Sequence, residues 1–286
     1  LWGSAIVKER FGEFPTARVT YEEGLKLLER KAKRVRLVAE SEEMKVKSSN
    51  VIGELKGRER PDEIVLIGGH YDTVLEVQGA EDNAGGTAIV LELARVFKER
   101  GTKRTIRFIA WGCEELGLLG SRDYAKRLRE TSEKAKKENE EAETELDMTL
   151  LCINLDVHGA FIGTNSSHVL GPPDLTSSIK LLSKETGVVF NVEESVYSSD
   201  GTSISAVGIP SVSFSRRAPT NVLMHSAEDS IQWLSPKTLQ AHGEFVELFL
   251  NRYVAEASAF PFEKTIPDKQ KKDIEEYFKQ NLRKLP

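Results

Sequence analysis

Cysteine is scarce in this chain: Cys113 and Cys152 are the only two among 286 residues. Two thiols cannot build a disulfide framework, so a buried core has to hold the fold. Each ends or sits inside an apolar run that reads as a strand, IRFIAWGC and MTLLCINL, which suits free buried thiols. Neither has another Cys or a His at the short spacing of a zinc finger. Methionine is rare as well, at three residues, while Glu and Lys abound, a balance found in heat-adapted proteins. Positive charge is not in excess: 40 Lys and Arg stand against 45 Asp and Glu, for a net charge of -5. That excludes the basic footprint of a nucleic-acid binder. No apolar run reaches membrane-spanning length. The start lacks a basic stretch followed by an apolar one, so no secretory signal is read there. The chain opens on Leu1 rather than Met, and we expect an incomplete N-terminus. Cytoplasmic and extracellular locations both stay open.

What is present suits a soluble globular protein, with 39% hydrophobic and 30% charged residues. The length allows one large α/β domain or two small ones. Tyr21 to Arg34 predicts an amphipathic helix with Leu25, Leu27 and Leu28 on its apolar side. Val35 to Val38 and Met44 to Leu55 alternate as strands do, and Lys56 to Glu63 reads as a polar loop. Denser structure follows. Ile64 to Gly68, Thr105 to Trp111, Met148 to Leu155 and Pro210 to Phe214 are short apolar runs that predict buried strands. Thr87 to Arg100, Ser121 to Arg129, Asp174 to Thr186, Thr202 to Val207, Pro236 to Glu256 and Asp268 to Lys284 predict helices. Thr131 to Asp147 is highly charged without an apolar stripe, which reads as a solvated helix or loop. Strands alternating with helices predict an α/β fold in three layers: a mostly parallel mixed sheet with helices on both faces.

In open α/β sheets, ligands bind beyond the carboxyl ends of the strands. Chemistry-bearing residues gather there. His70, Tyr71 and Asp72 follow IVLIGG, Glu114 and Glu115 follow FIAWGC, and Asp156 follows LLCINL. The loop GAEDNAGG delivers Asp82 at the start of a helix, and LMHSAEDS delivers His225. Taken alone, Asp82 could be a helix cap and a histidine could be structural. Together, several carboxylates at one buried edge repel each other unless cations neutralise them. Carboxylates beside two imidazoles suit one or two divalent metals. The Glu114–Glu115 pair suggests a division of labour, in which one carboxylate binds metal and the other moves protons.

The blocks GGHYDTV, GAEDNAGGTA, WGCEELGLLGS, NLD and MHSAEDS occur in this order over roughly residues 50 to 255. This series resembles the co-catalytic zinc aminopeptidases, a family that includes glutamate carboxypeptidases and glutaminyl cyclases. The resemblance implies His70, Asp82, Glu115, Asp156 and His225 as ligands of two zinc ions, with Asp82 bridging them. It implies Glu114 as general base and Asp72 as the carboxylate that orients His70. Tyr197 matches a tyrosine that stabilises the oxyanion in some relatives, though it also reads as a packed aromatic. Two departures stand out. DNAGG replaces the usual DNASG, and Ser199-Asp200-Gly201 lacks a histidine common after the Ser-Asp pair. The stretch FPTARVTYEEGLKLLE is similar to the end of a protease-associated domain.

These features set the expectations. Residues 1–50 form a lead-in segment, the remnant of a protease-associated domain, and residues 51–286 form a zinc peptidase catalytic domain. The favoured activity is that of an aminopeptidase with two Zn2+ per chain, although such a donor set also suits Co2+ or Mn2+. A carboxypeptidase, with Arg216 and Arg217 receiving the substrate carboxylate, stays open. So do a glutaminyl cyclase and a non-catalytic binding relative. The expected partner is a peptide substrate, with neither nucleic acid nor membrane, and an oligomer is compatible with the sequence.

Overall fold

The computed structural model describes residue 19, residues 21–36, residue 38 and residues 46–282. The chain divides into two compact units, Leu1–Lys47 and Ser48–Pro286. In the first, helix α1 (Tyr21–Glu29) forms where the leucine spacing predicts it, and Lys26 pairs with Glu23 at 2.6 Å. Val35, Arg36 and Val38 carry no regular structure, so the strand expected there is not formed by the described residues. Met44 and the Phe14–Arg18 part of the protease-associated resemblance lie outside the described residues.

The second unit is built on seven strands: β1 (Val51–Leu55), β2 (Arg60–His70), β3 (Arg104–Trp111), β4 (Thr149–Leu155), β5 (Thr164–Leu170), β6 (Phe190–Glu193) and β7 (Ser211–Arg217). They form one sheet in the order β1-β3-β2-β4-β7-β5-β6. Pairings β2/β3, β2/β4, β4/β7 and β5/β6 are parallel, while β1/β3 and β5/β7 are antiparallel. The sheet is thus mixed and mostly parallel, in an α/β fold.

Alternation along β2 sorts its side chains between two cores. Val65 and Ile67 face helices α2 (Gly85–Arg100), α5 (Pro173–Thr186) and α7 (Pro236–Leu250), through Leu93, Phe97, Ile179, Phe245 and Phe249. Ile64 and Leu66 face the other side, against Tyr124, Ala125 and Leu128 of α3 (Leu119–Glu138) and Ile204 of the short α6 (Asp200–Ser205). Both faces being covered, the interior strands carry continuous apolar runs. Local signals mark the helix ends. Pro173 and Pro236 occupy first turns, where a missing N–H costs nothing. Gly187 ends α5 at φ 72, a left-handed conformation that glycine adopts without strain. The charged window splits: α3 runs on to Glu138, and the one-turn helix α4 (Glu145–Met148) follows a Thr144–Asp147 capping box.

Two differences from the sequence expectation have physical causes. Residues 60–63, expected in a loop, begin β2 because partners satisfy them. Glu63 takes the fully buried Arg104 guanidinium at 2.5 Å, and Pro61 O accepts from Thr105 Oγ1 at 2.7 Å. Strands β5 and β6 were not expected at all. TNSSHVL has no apolar alternation, and its Ser166 and Ser167 are fully buried between β6 and β7. The C-terminal helix, α8 (Asp268–Tyr277), forms as predicted, with residues 283 and 284 outside the described part. No helix among the described residues is long and apolar enough to cross a membrane.

Candidate metal centre

Three neighbouring strands of the sheet end on the residues singled out by the sequence. His70 is the last residue of β2 and 1% exposed. Glu114 and Glu115 come just after β3, and Asp156 directly after β4. Asp82 arrives on a tight turn, Ala80–Ala84, that leads into α2, and the Asp82–Asn83 peptide is cis. His225 lies between two 3-10 turns, Pro219–Leu223 and Ile231–Trp233.

These groups converge as two triads sharing one carboxylate. His70 Nε2 lies 3.0 Å from Asp82 Oδ1 and 3.2 Å from Asp156 Oδ1. His225 Nε2 lies 3.1 Å from Asp82 Oδ2 and 3.1 Å from Glu115 Oε2. Among the described residues, these two triads are the groups of three or more ligand-type side chains close enough to hold a metal. Donor atoms about 2.0–2.1 Å from a tetrahedral zinc stand roughly 3.3 Å from each other, close to these spacings. Glu115 Oε1 is buried without a hydrogen-bond partner, so a carboxylate oxygen stays unsatisfied unless a cation meets it. The residues present therefore fit a pair of divalent cations.

The turn carrying Asp82 is packed against the ends of β2 and β4 by close backbone approach. Asn83 Nδ2 donates to Leu155 O at 2.8 Å, and its Oδ1 accepts from Gly86 N at 3.1 Å and Val157 N at 3.2 Å. A Cβ on Gly86 would stand 2.4 Å from Leu155 O, and one on Gly85 would stand 2.4 Å from His158 O. Glycine at 85 is thus matched to this close approach. Val157, next to the candidate ligand Asp156, Cys113, next to the candidate base Glu114, and His225 itself turn through positive φ of 57 to 62. Such backbone is costly for residues other than glycine and concentrates at functional sites.

Asp72 differs in detail from the expectation. Its carboxylate Oδ1 is 3.8 Å from His70 Nδ1, whereas its main-chain oxygen is at 3.0 Å. The carboxylate instead accepts the N–H groups of Glu114 at 3.0 Å and Glu115 at 3.2 Å. Asp72 therefore shapes the Glu114–Glu115 turn with its side chain and faces the imidazole with its backbone. Asp229 acts similarly, accepting from Glu81 N at 2.8 Å and Asp82 N at 3.2 Å. It joins the loop of His225 to the loop of Asp82, and Asn221 adds a 2.8 Å bond to Glu81.

Charge sets the protonation. Burial pushes the Glu114 carboxyl well up; Asp156, Asp200 and Glu115 push the same way, against the opposing pull of His70. Burial works to raise Asp82 as well, yet hydrogen bonds from His225 and His70 hold it below the usual range. Hydrogen bonds to Asp82 and Glu115 lift His225 to about 10. His70 is raised despite burial, chiefly by Asp156. Metal ions and protons compete for those same nitrogens. The Tyr197 phenol is pushed up by burial and by the negative charges of Asp156 and Asp82, so it remains a donor. Its ring stacks on His168, with centroids 4.7 Å apart and planes at 13°.

Sequence reasoning missed a buried histidine pair under the site. His158 and His242 meet through their Nδ1 atoms at 2.8 Å. His158 Nε2 contacts Phe214 O at 2.9 Å, the same oxygen that accepts Asp156 N at 3.1 Å. The pair thereby ties the Asp156 segment to α7. His158 stands two residues beyond Asp156, but nothing in the sequence signals that His242 meets it.

Comparison with known proteins identifies the family. The sequence profile of Peptidase family M28 matches residues 50–250. Aminopeptidase YwaD of Bacillus subtilis (strain 168) is 32% identical over 243 residues, covering 81% of this chain and 50% of that protein. Among solved structures, an aminopeptidase from Aneurinibacillus sp. strain AM-1 aligns with a TM-score of 0.61 at 29% identity, over 75% of this chain and 50% of that one. BSAP, a zinc aminopeptidase from Bacillus subtilis, aligns at 0.60 and 30% identity, over 77% of this chain and 53% of that one. The chain spans about half the length of these relatives. With the profile matched over most of its length and the site assembled from the matched segment, the chain belongs to peptidase family M28.

Proposed function

We propose that this chain is a zinc-dependent aminopeptidase that releases N-terminal residues from peptides, with residues 51–286 as the catalytic domain. One observation carries the proposal: each oxygen of the Asp82 carboxylate meets a different imidazole, His70 at 3.0 Å and His225 at 3.1 Å. Two adjoining cation sites sharing one carboxylate follow from that. His70 and Asp156 would complete one site, and Glu115 and His225 the other. Bound there, the two zinc ions would polarise the scissile carbonyl and acidify a water molecule.

The protein's own groups supply the rest. Glu114, its carboxyl raised by burial, takes a proton from the attacking water and passes it to the departing amine nitrogen as the C–N bond breaks. Asp72 fixes the Glu114 backbone through its N–H. Tyr197, held as a neutral phenol, donates toward the oxygen that gains charge.

An aminopeptidase is favoured over a carboxypeptidase because both candidate arginines are engaged elsewhere. Arg216 donates to Ala160 O and Asn165 Oδ1, and Arg217 pairs with Glu193 at 3.4 Å. The amine of a free N-terminus would bind beside one zinc and the acidic residues around it.

The test is metal content per chain together with cleavage of a panel of aminoacyl p-nitroanilides. About two zinc ions per chain, with activity lost to chelator and restored by metal, is the expected result. One zinc with cyclisation of N-terminal glutamine and no amide cleavage would favour the glutaminyl cyclase activity. No metal and no activity would favour a binding protein.

A further inference from the structure

Helix α8 and its continuation Phe278–Leu282 lie outside residues 50–250, the part matched by the family profile. They nevertheless pack against two loops of the candidate site. Ile274 and Phe278 cluster with Leu118, Leu170 and Ile266, and Val196 and Tyr277 pack against them. Leu118 closes the turn that begins at Glu114, its N–H bonding Glu114 O at 2.8 Å. The Arg122 guanidinium lies 5.9 Å from the Phe278 ring centroid and donates to Gly117 O at 3.2 Å, which ties the helix again to that turn. On the other loop, Tyr277 Oη and Ser198 Oγ share a 2.7 Å hydrogen bond beside Tyr197. Buried Gln270 accepts from Gly171 N at 2.8 Å and seats the helix over the end of β5. One helix therefore holds both the turn of the candidate base and the loop of the candidate oxyanion donor.

We propose that Tyr277 is a positioning residue for hydrolysis: its hydroxyl, through Ser198, fixes the Tyr197 loop relative to the Glu114 turn. The inference rests on the peptidase function proposed above. Proton transfer and oxyanion stabilisation need the base and the donor at set positions around one carbonyl, and small displacements cost rate. Burial pushes the Tyr277 phenol up to about 12, so its O–H persists across the working pH range. Its ring belongs to the apolar cluster, while its oxygen meets Ser198 Oγ on the loop. Removing the oxygen should therefore affect catalysis without loosening the core.

The test is a double-mutant cycle between Tyr277→Phe and Ser198→Ala in the zinc-loaded full chain. Each single variant should lower kcat about 10-fold on the best p-nitroanilide, with KM, zinc content and Tm unchanged. The double variant should be no worse than either single, because both break one contact. In a Tyr197→Phe background, Tyr277→Phe should have little further effect. Wild-type kcat in Tyr277→Phe, additive losses in the double variant, or a loss that follows a fall in Tm would each overturn the positioning role. A zinc-loaded wild-type chain that cleaves nothing in the panel would overturn the peptidase function, and this role with it.

Discussion

The two imidazoles of the site have opposite surroundings. His70 ends an interior strand, is 1% exposed, and meets Asp156 from the neighbouring interior strand. The His225 side chain is 32% exposed, on a loop between two 3-10 turns, and meets Glu115 just past β3. One half of the centre is thus part of the core, and the other is held by loops. Asp82 belongs to both. The electrostatics follow the same division. Burial is the largest influence on His70, whereas hydrogen bonds to carboxylates dominate His225. A core-built site is rigid and slow to exchange, and a loop-built site opens more easily. We therefore expect the two proposed metal sites to be unequal.

The shared carboxylate is where the distinction should disappear. Replacing Asp82 with Ala removes a donor from both triads at once. Both ions should be lost, and turnover should fall by about 10,000-fold or more. Metal analysis and kcat check this together. A variant that kept one ion would mean that Asp82 serves only one side.

Glu114 touches neither triad as a ligand, so its removal should leave the two halves unequal as before. Glu114→Gln keeps the shape and loses the proton acceptor. We expect both zinc ions to remain and kcat to fall about 1,000-fold. Near-normal turnover would remove Glu114 from the role of base.

The asymmetry itself can be read by chelation. Against a graded chelator, one ion should leave the wild type about 10-fold more readily than the other. His225→Ala should eliminate the weaker step and keep the tighter ion. His70→Ala should eliminate the tighter step. Loss of both ions in a single step would break the comparison between a buried and an open half.

The same contrast explains what was legible in the sequence. The core-built half was plain, because IVLIGG and LLCINL are continuous apolar runs that end on His70 and Asp156. The blocks around Asp82, Glu114 and His225 were recognisable by residue type and order. What escaped were tertiary contacts that neither apolar patterning nor residue order signals. Strand β5 is polar and gains its place only from β6 and β7, so its periodicity carried no signal. The carboxylate of Asp72 could be placed near the site but not assigned to the N–H groups of Glu114 and Glu115, which belong to a different strand end. His242 lies on α7, far in sequence from His158. The strand-like alternation before residue 50 misled in the opposite direction, since Val35, Arg36 and Val38 form no strand.

The smallest expected effect is also the one that separates protons from metal. In metal-free protein, hydrogen bonds to Asp82 and Glu115 raise His225 from the usual 6.5 to about 10. The folded chain then keeps a proton that the unfolded chain releases. The resulting stabilisation is complete below pH 6.5, declines as pH rises, and is gone above about 10. His70 is also raised and contributes with the same sign. His158, pushed down to about 4 by burial, stays neutral in the folded chain across this window and adds a slope of opposite sign only near its lower edge. We therefore expect the Tm of chelated protein to fall between pH 6.5 and 10, and His225→Gln to reduce that slope without removing it. Zinc should act in the opposite direction. Ligation requires neutral imidazoles, so the rise in Tm on adding zinc should grow with pH over the same interval. A flat metal-free profile, or a slope that His225→Gln leaves intact, would mean that the open imidazole is not held by Asp82 and Glu115. Opposed slopes with and without zinc would place protons and metal on the same two nitrogens.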